Sequence, residues 1–181
     1  MSGKLYGRIS MNIVNGTIYT MDSQNTIIEK GAIRIQDGIL VDVGDITVDP
    51  KEGEEVIDAL GGWILPGFVE AHCHIGIQEE KKGMEGNDCN ETVNPVTPWL
   101  RAMDAINPMD AAFKDAVRGG VTCVQVGPGS ANVVGGTFVA IKLSGKCVDK
   151  MIIKNPLAMK CAFGENPKRC YGQGLKKSPT T

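Results

Sequence analysis

His72 and His74 are the only histidines in the chain, and a single residue separates them. In a β-strand, residues two apart point to the same face, about 7 Å apart along the backbone. Two imidazoles projecting from that spacing can share one divalent cation, while Cys73 between them must point the other way, into packing. Zinc and its neighbours take nitrogen or carboxylate ligands at about 2 Å, and a catalytic ion keeps one position open for water. A bare His-x-His pair is a weak sign, since strand histidines are often ordinary hydrogen-bonded residues. Its setting here sharpens the sign. Pro66-Gly67 imposes a turn, the apolar strand candidate 68–75 follows, and a polar loop begins directly after the pair.

Other residues with chemical capacity offer less. Six cysteines stand at 73, 89, 123, 147, 161 and 170, with no Cys-x-x-Cys spacing. Zinc-finger and thioredoxin-like sites are therefore unsupported. Cys123, in Val-Thr-Cys-Val, reads as a small buried hydrophobe. An even number of cysteines is no sign of disulfides where the N-terminus carries no export signal. Gly127-Pro-Gly-Ser and Gly135-Gly136 do not match the phosphate loop Gly-x-x-x-x-Gly-Lys-Ser/Thr and open no helix. A tight turn beside a pocket mouth accounts for them better.

The elements that must position the pair follow from periodicity. Residues 1–64 read as short strands parted by turns: a strand over 12–21 interrupted by Asn15-Gly16, which favours a tight turn, then 31–36 and 39–43 flanking the hairpin signal Asp37-Gly38, then Val56-Ile57. Apolar positions are too few there for a comfortable domain alone. Residues 76–105 make a loop long enough to be functional or mobile rather than idle. A helix follows, with Asn107 as N-cap, Pro108 at the first helical position and Asp110 at the positive end of the dipole. Met109, Ala112, Phe113, Ala116 and Val117 give it one apolar face, Gly119-Gly120 end it, and 121–126 is a β-branched strand. Strand, helix, strand is a parallel βα unit. Beyond it, 137–143 and 150–153 can pair as a hairpin, 157–163 reads as another strand ending at Gly164-Glu165-Asn166-Pro167, and 168–181 is basic and polar with no helix signal.

Composition narrows the class. With 42% hydrophobic and 22% charged residues the chain reads as soluble and globular. Nineteen basic residues against twenty-one acidic ones leave no basic stripe for nucleic acid. No apolar run approaches the roughly 20 residues needed to span a bilayer. The expectation is a cytoplasmic protein with no nucleic-acid or membrane partner.

Residues 64–74, Ile-Leu-Pro-Gly-Phe-Val-Glu-Ala-His-Cys-His, resemble the signature that opens the barrel in the amidohydrolase superfamily, Pro-Gly-hydrophobic-hydrophobic-Asp-x-His-x-His. The preceding hairpin resembles that family's small β-sandwich. Ala105-Ile-Asn-Pro, Gly119-Gly120-Val-Thr, Gly127-Pro-Gly-Ser-Ala-Asn and Gly164-Glu-Asn-Pro-Lys-Arg resemble its imidazolonepropionase-like branch. The resemblance covers essentially the whole chain. It implies an α/β fold: a small N-terminal β-sandwich subdomain over 1–64, incomplete, and the first part, about four strands, of a (β/α)8 TIM-type barrel over 65–181.

The resemblance further implies hydrolysis of an amide or cyclic C–N bond in a small-molecule substrate by a metal-activated water. One or two divalent ions are expected, zinc first, with iron, manganese or nickel as others. His72 and His74 would be the first two ligands. The family draws a third from the fourth strand, a carboxylated lysine or a glutamate. Lys160, inside the last strand, and Glu165, at its end, both qualify. Glu165 needs no modification and is preferred; its alternative role is a loop carboxylate paired with Lys168 or Arg169. Glu70 stands where the family has Asp, either altering the support of the ligands or sitting harmlessly inside the barrel.

A complete barrel takes about 250 residues and eight strands, against roughly 115 here after the opening strands. The resemblance places further metal histidines on the fifth and sixth strands and a proton-shuttling aspartate on the eighth, hence beyond residue 181. The expectation is thus a fragment inactive alone, lacking a C-terminal portion or forming a homo-oligomer. The alternative is a non-catalytic remnant acting as a binding or oligomerisation module through its open strand edges.

Overall fold

Isoleucine-rich strands build the first of two units, which divide the chain into Met1–Pro66 and Gly67–Thr181; the computed structural model describes residues 10–180. β1 (Ser10–Tyr19) pairs antiparallel with β2 (Ile27–Gln36), and β2 with β3 (Ile39–Gly44). Beyond β1 lie β4 (Glu55–Asp58) and β5 (Trp63–Ile64), both parallel to it. Asp37 and Gly38 take φ of 52° and 79°, the left-handed pair that a two-residue hairpin turn requires. Asn15-Gly16 makes no turn. It is a bulge within a continuous β1, with Asn15 at φ 56° and the register shifting on both sides of Gly16. Both halves of β1 pair with β2, and a Cβ on Gly16 would collide with Ile64. Close backbone approach, not a reversal of direction, is what this glycine serves. The described residues of this unit, expected to be an incomplete β-sandwich, form one five-stranded sheet.

In the second unit, β6 (Phe68–Cys73) and β7 (Val121–Val126) are parallel neighbours joined through α1 (Ala111–Arg118), as the strand–helix–strand pattern predicts. The chain then departs from barrel order. β8 (Val134–Thr137) leads to β9 (Val139–Lys142), which runs antiparallel to β7, and β10 (Ile152–Lys154) pairs back on β9. β11 (Met159–Cys161) pairs antiparallel with β8. One parallel pair therefore stands where about four parallel strands were expected. A parallel return needs a crossover, usually a helix, and the connection from β7 to β9 contains a strand instead.

The helix starts later than its sequence suggests. Asp110, not Asn107, is the N-cap, its carboxylate accepting from Ala112 N. The same Oδ1 accepts from Glu80 N at 3.1 Å, thirty residues away, so tertiary structure selects the cap. Asn107 instead takes the Met109 N–H within the preceding turn. Of the expected apolar face only Phe113 is buried; Met109 and Val117 lie exposed.

The core of this unit gathers Phe113, Val124, Val126, Val139, Ile141 and Met151 with Ile77, Cys89 and Ala102 from the long 76–105 segment. That segment is thus packed, not idle. The tail holds a second surprise: Lys168–Gly174 coils into a π-helical turn. It places the fully buried Tyr171 with its hydroxyl 2.9 Å from Glu91 O and 3.1 Å from Asn94 O. Among the described residues no helix is long and apolar enough to cross a membrane.

Candidate metal centre

β6 is the edge strand of its four-stranded sheet, and its residues are exposed or half-buried, Phe68 at 54% and Val69 at 66%. The sequence reads as an apolar strand; pairing on one side only leaves its residues this open. His72 is the fifth residue of β6 and His74 follows its last, both at the carboxyl end. Their rings face the same region, with centroids 5.4 Å apart and planes at 88°. Cys73 points the other way, half-buried against the core, its thiol 3.5 Å from Gln125 O, and burial pushes that thiol above its ordinary pKa.

The neighbouring strand orients one of the two imidazoles. Gly127 follows the end of β7, its N–H donates to Cys73 O, and its carbonyl lies 2.7 Å from His74 Nδ1. A carbonyl can only accept, so Nδ1 carries a proton, and in the neutral imidazole Nε2 of His74 then carries the free lone pair. A hydrogen bond of this kind fixes the tautomer and direction of a metal-binding histidine.

His72 has a different environment. Its Nε2 lies 3.5 Å from Lys160 Nζ on β11, and its ring meets Phe138 edge-on at 5.4 Å. Partial burial pushes its pKa below the ordinary imidazole value; the charges of Lys160 and His74 push the same way, and Glu70 opposes them. The Glu70 carboxylate accepts from the His72 backbone N–H at 2.9 Å.

Of the three residues expected to ligate, His72 and His74 come together and Glu165 does not join them. Glu165 is exposed and takes a 2.7 Å ion pair from Lys168, one turn onward, which holds its carboxyl below the usual range. Among the described residues no third His, Cys, Asp or Glu completes a metal-holding group with the pair. The third functional group present is the amine of Lys160. An ammonium cannot ligate a cation, but a carbamate formed on the same lysine would supply carboxylate oxygens. Two imidazoles with such a carbamate would make a donor set that suits zinc and its neighbours. Sequence reasoning named Lys160 but missed Gly127 and Phe138. The signal for Gly127 was its place one residue past β7, level with the histidines at the end of β6.

No family model matches the chain. Amidohydrolase tasK of Hapsidospora irregularis is 33% identical over 164 residues, 83% of this chain and 17% of that protein. A 5-methylthioadenosine/S-adenosylhomocysteine deaminase of Bacillus cereus (strain 03BB102) is 36% identical over 106 residues, 58% of this chain and 22% of the deaminase. Among solved structures, an amidohydrolase from Thermotoga maritima MSB8 superposes with a TM-score of 0.84 at 42% identity, over 94% of this chain and 43% of that one. The chain spans less than half the length of each of these proteins. With the sequence likeness extending over 83% of the chain and the backbone likeness over 94%, this chain belongs to the amidohydrolase superfamily.

Proposed function

We propose that the chain is part of a metal-dependent hydrolase of amide or cyclic C–N bonds, with small-molecule substrates. Its histidine pair supplies two nitrogens of the metal centre, zinc being the first choice of ion. The observation that carries this reading is the 2.7 Å contact of His74 Nδ1 with Gly127 O, which leaves Nε2 free beside His72. The chemistry the ion supplies is activation of water and polarisation of a substrate carbonyl. Lys160 serves as the third donor after its neutral amine adds carbon dioxide and loses a proton, forming a carbamate next to His72. Glu165, spent on Lys168, is the weaker candidate. A C–N bond as the target agrees with relatives named amidohydrolase and deaminase.

A second reading, a binding or oligomerisation module without catalysis, draws on the exposed Phe68 and Val69 of the edge strand. One experiment separates the two. The chain is reconstituted with zinc in labelled bicarbonate, alongside His72→Ala, His74→Ala and Lys160→Ala, and metal content and label are measured. Stoichiometric metal in the parent, lost in both histidine variants, with label lost in Lys160→Ala, is expected. A parent chain that retains no metal removes the enzymatic reading and leaves the module.

A further inference from the structure

We propose that Phe138 is the positioning residue of this site, a single ring that sets His72, Lys160 and the Gly127 carbonyl at their working separations. The inference rests on the metal-centre reading above and deepens it.

Phe138 joins β8 to β9, and its backbone is held on both sides: its N–H donates to Ala158 O at 2.8 Å and its carbonyl accepts from Leu157 N at 2.9 Å. The ring is therefore anchored independently of the groups it touches. His72 presents its ring to Phe138 edge-on at 5.4 Å and 86°. Lys160 Nζ lies 5.9 Å from the centroid, so the ring borders the nitrogen that the metal-centre reading turns into a carbamate. On a third side Gly127 sits so close that any Cβ there would run into the ring. His72 belongs to β6, Gly127 to the end of β7 and Lys160 to β11, so one side chain ties together three strands.

A core role does not explain this placement. Phe138 is 7% exposed yet stands outside the hydrophobic cluster that contains its neighbour Val139. Its contacts on the functional side are an imidazole, an amine and a bare backbone. The ring has no polar atom, so it neither ligates nor transfers a proton. What it does is exclude water from one side of His72 and Lys160 and keep Gly127 O where His74 needs it. Edge-to-face packing fixes ring orientation more tightly than an aliphatic contact of equal area.

Phe138→Leu keeps the apolar burial and removes the ring, Phe138→Tyr keeps the ring, and Gly127→Ala pushes against it from the other side. Zinc affinity of the full chain is measured by competition with a chromogenic chelator in bicarbonate buffer, and folding by circular dichroism. The tautomer of His74 is read by nitrogen NMR without metal. Phe138→Leu is expected to weaken zinc binding by about 10- to 100-fold, the usual effect of losing a group that orients a ligand. It should also convert the single His74 tautomer into a mixture. Phe138→Tyr should stay near the parent on both counts, and Gly127→Ala should resemble Phe138→Leu. A folded Phe138→Leu with parental affinity and an unchanged tautomer overturns the inference. If the parent binds no zinc, the metal-centre reading fails by itself, and the tautomer measurement still decides the role of the ring. If Phe138→Leu does not fold, Gly127→Ala against Phe138→Tyr carries the same decision.

Discussion

The two units use strands of very different reach and bury them in inverse proportion. β1 and β2 are ten residues each, yet the buried hydrophobic side chains described in the first unit are Ile18, Ala32 and Ile33. Ile39 and Leu40 on the outer β3 remain 64% and 62% exposed. In the second unit the strands are three to six residues long, yet eleven buried side chains make one cluster. Strand length contributes backbone hydrogen bonds; burial requires a second layer. The second unit supplies that layer from α1 and from the irregular 76–105 segment, whose Ile77, Cys89 and Ala102 reach the cluster. The candidate site stands on this unit, and its precision depends on elements that feed a real core.

The sharpest break in the comparison is Ile141→Ala. Ile141 is fully buried in β9 and pairs with both Val124 and Ile152. Removing it should cost about 2–5 kcal/mol, the transfer loss plus an unfilled cavity. Urea unfolding followed by the fluorescence of Trp99, in the same unit, measures it. A cost under about 1 kcal/mol would mean that the cluster is not what holds the unit.

Local chemistry was legible; selection between near-equal local options was not. Asp37-Gly38 and the strand–helix–strand run could be read because a two-residue turn and a 3.6-residue period need no distant partner. Asn107 and Asp110 are both good caps, and the choice fell to Asp110 through the Glu80 N–H far along the chain. Asn15-Gly16 is a turn dipeptide wherever space allows, but here β2 pairs across it and Ile64 closes over it. At the site, the spacing of His72 and His74 was a weak sign by itself, and it was the Pro66-Gly67 turn, the strand and the following loop that drew attention to the pair. Glu165 was preferred over Lys160 because it needs no modification; the structure instead sets Lys160 Nζ 3.5 Å from His72 Nε2 and pairs Glu165 with Lys168, contacts that depend on where β11 lies. The direction of β9 was out of reach, because a glycine-rich connection carries no signal of its handedness.

A smaller effect tests how the second unit fixes its long segment. Burial pushes the Tyr171 phenol up to about 12. Its folded value lies above the ordinary value of about 10, so the stability it contributes is full below pH about 10 and is lost as pH climbs through about 12. Tyr171→Phe should cost about 1–3 kcal/mol at neutral pH, since the carbonyls of Glu91 and Asn94 lose their donor. The gap between parent and variant should narrow when urea unfolding is repeated at about pH 11. A gap that stays constant would show that the hydroxyl does not hold this segment.

The smallest effect falls on the first unit, and its smallness is informative. Leu40→Thr places a β-branched residue, well suited to a strand, in β3 and changes a side chain that is 62% exposed. Surface changes of this kind stay within about 0.5 kcal/mol, and that is the expected result for urea unfolding followed at Trp63, in the same unit. A loss above about 1 kcal/mol would require Leu40 to be covered in solution, because only buried methyl groups carry such a cost. The sheet would then have its second layer, and the contrast with the core around Ile141 would come down to what lies against β3.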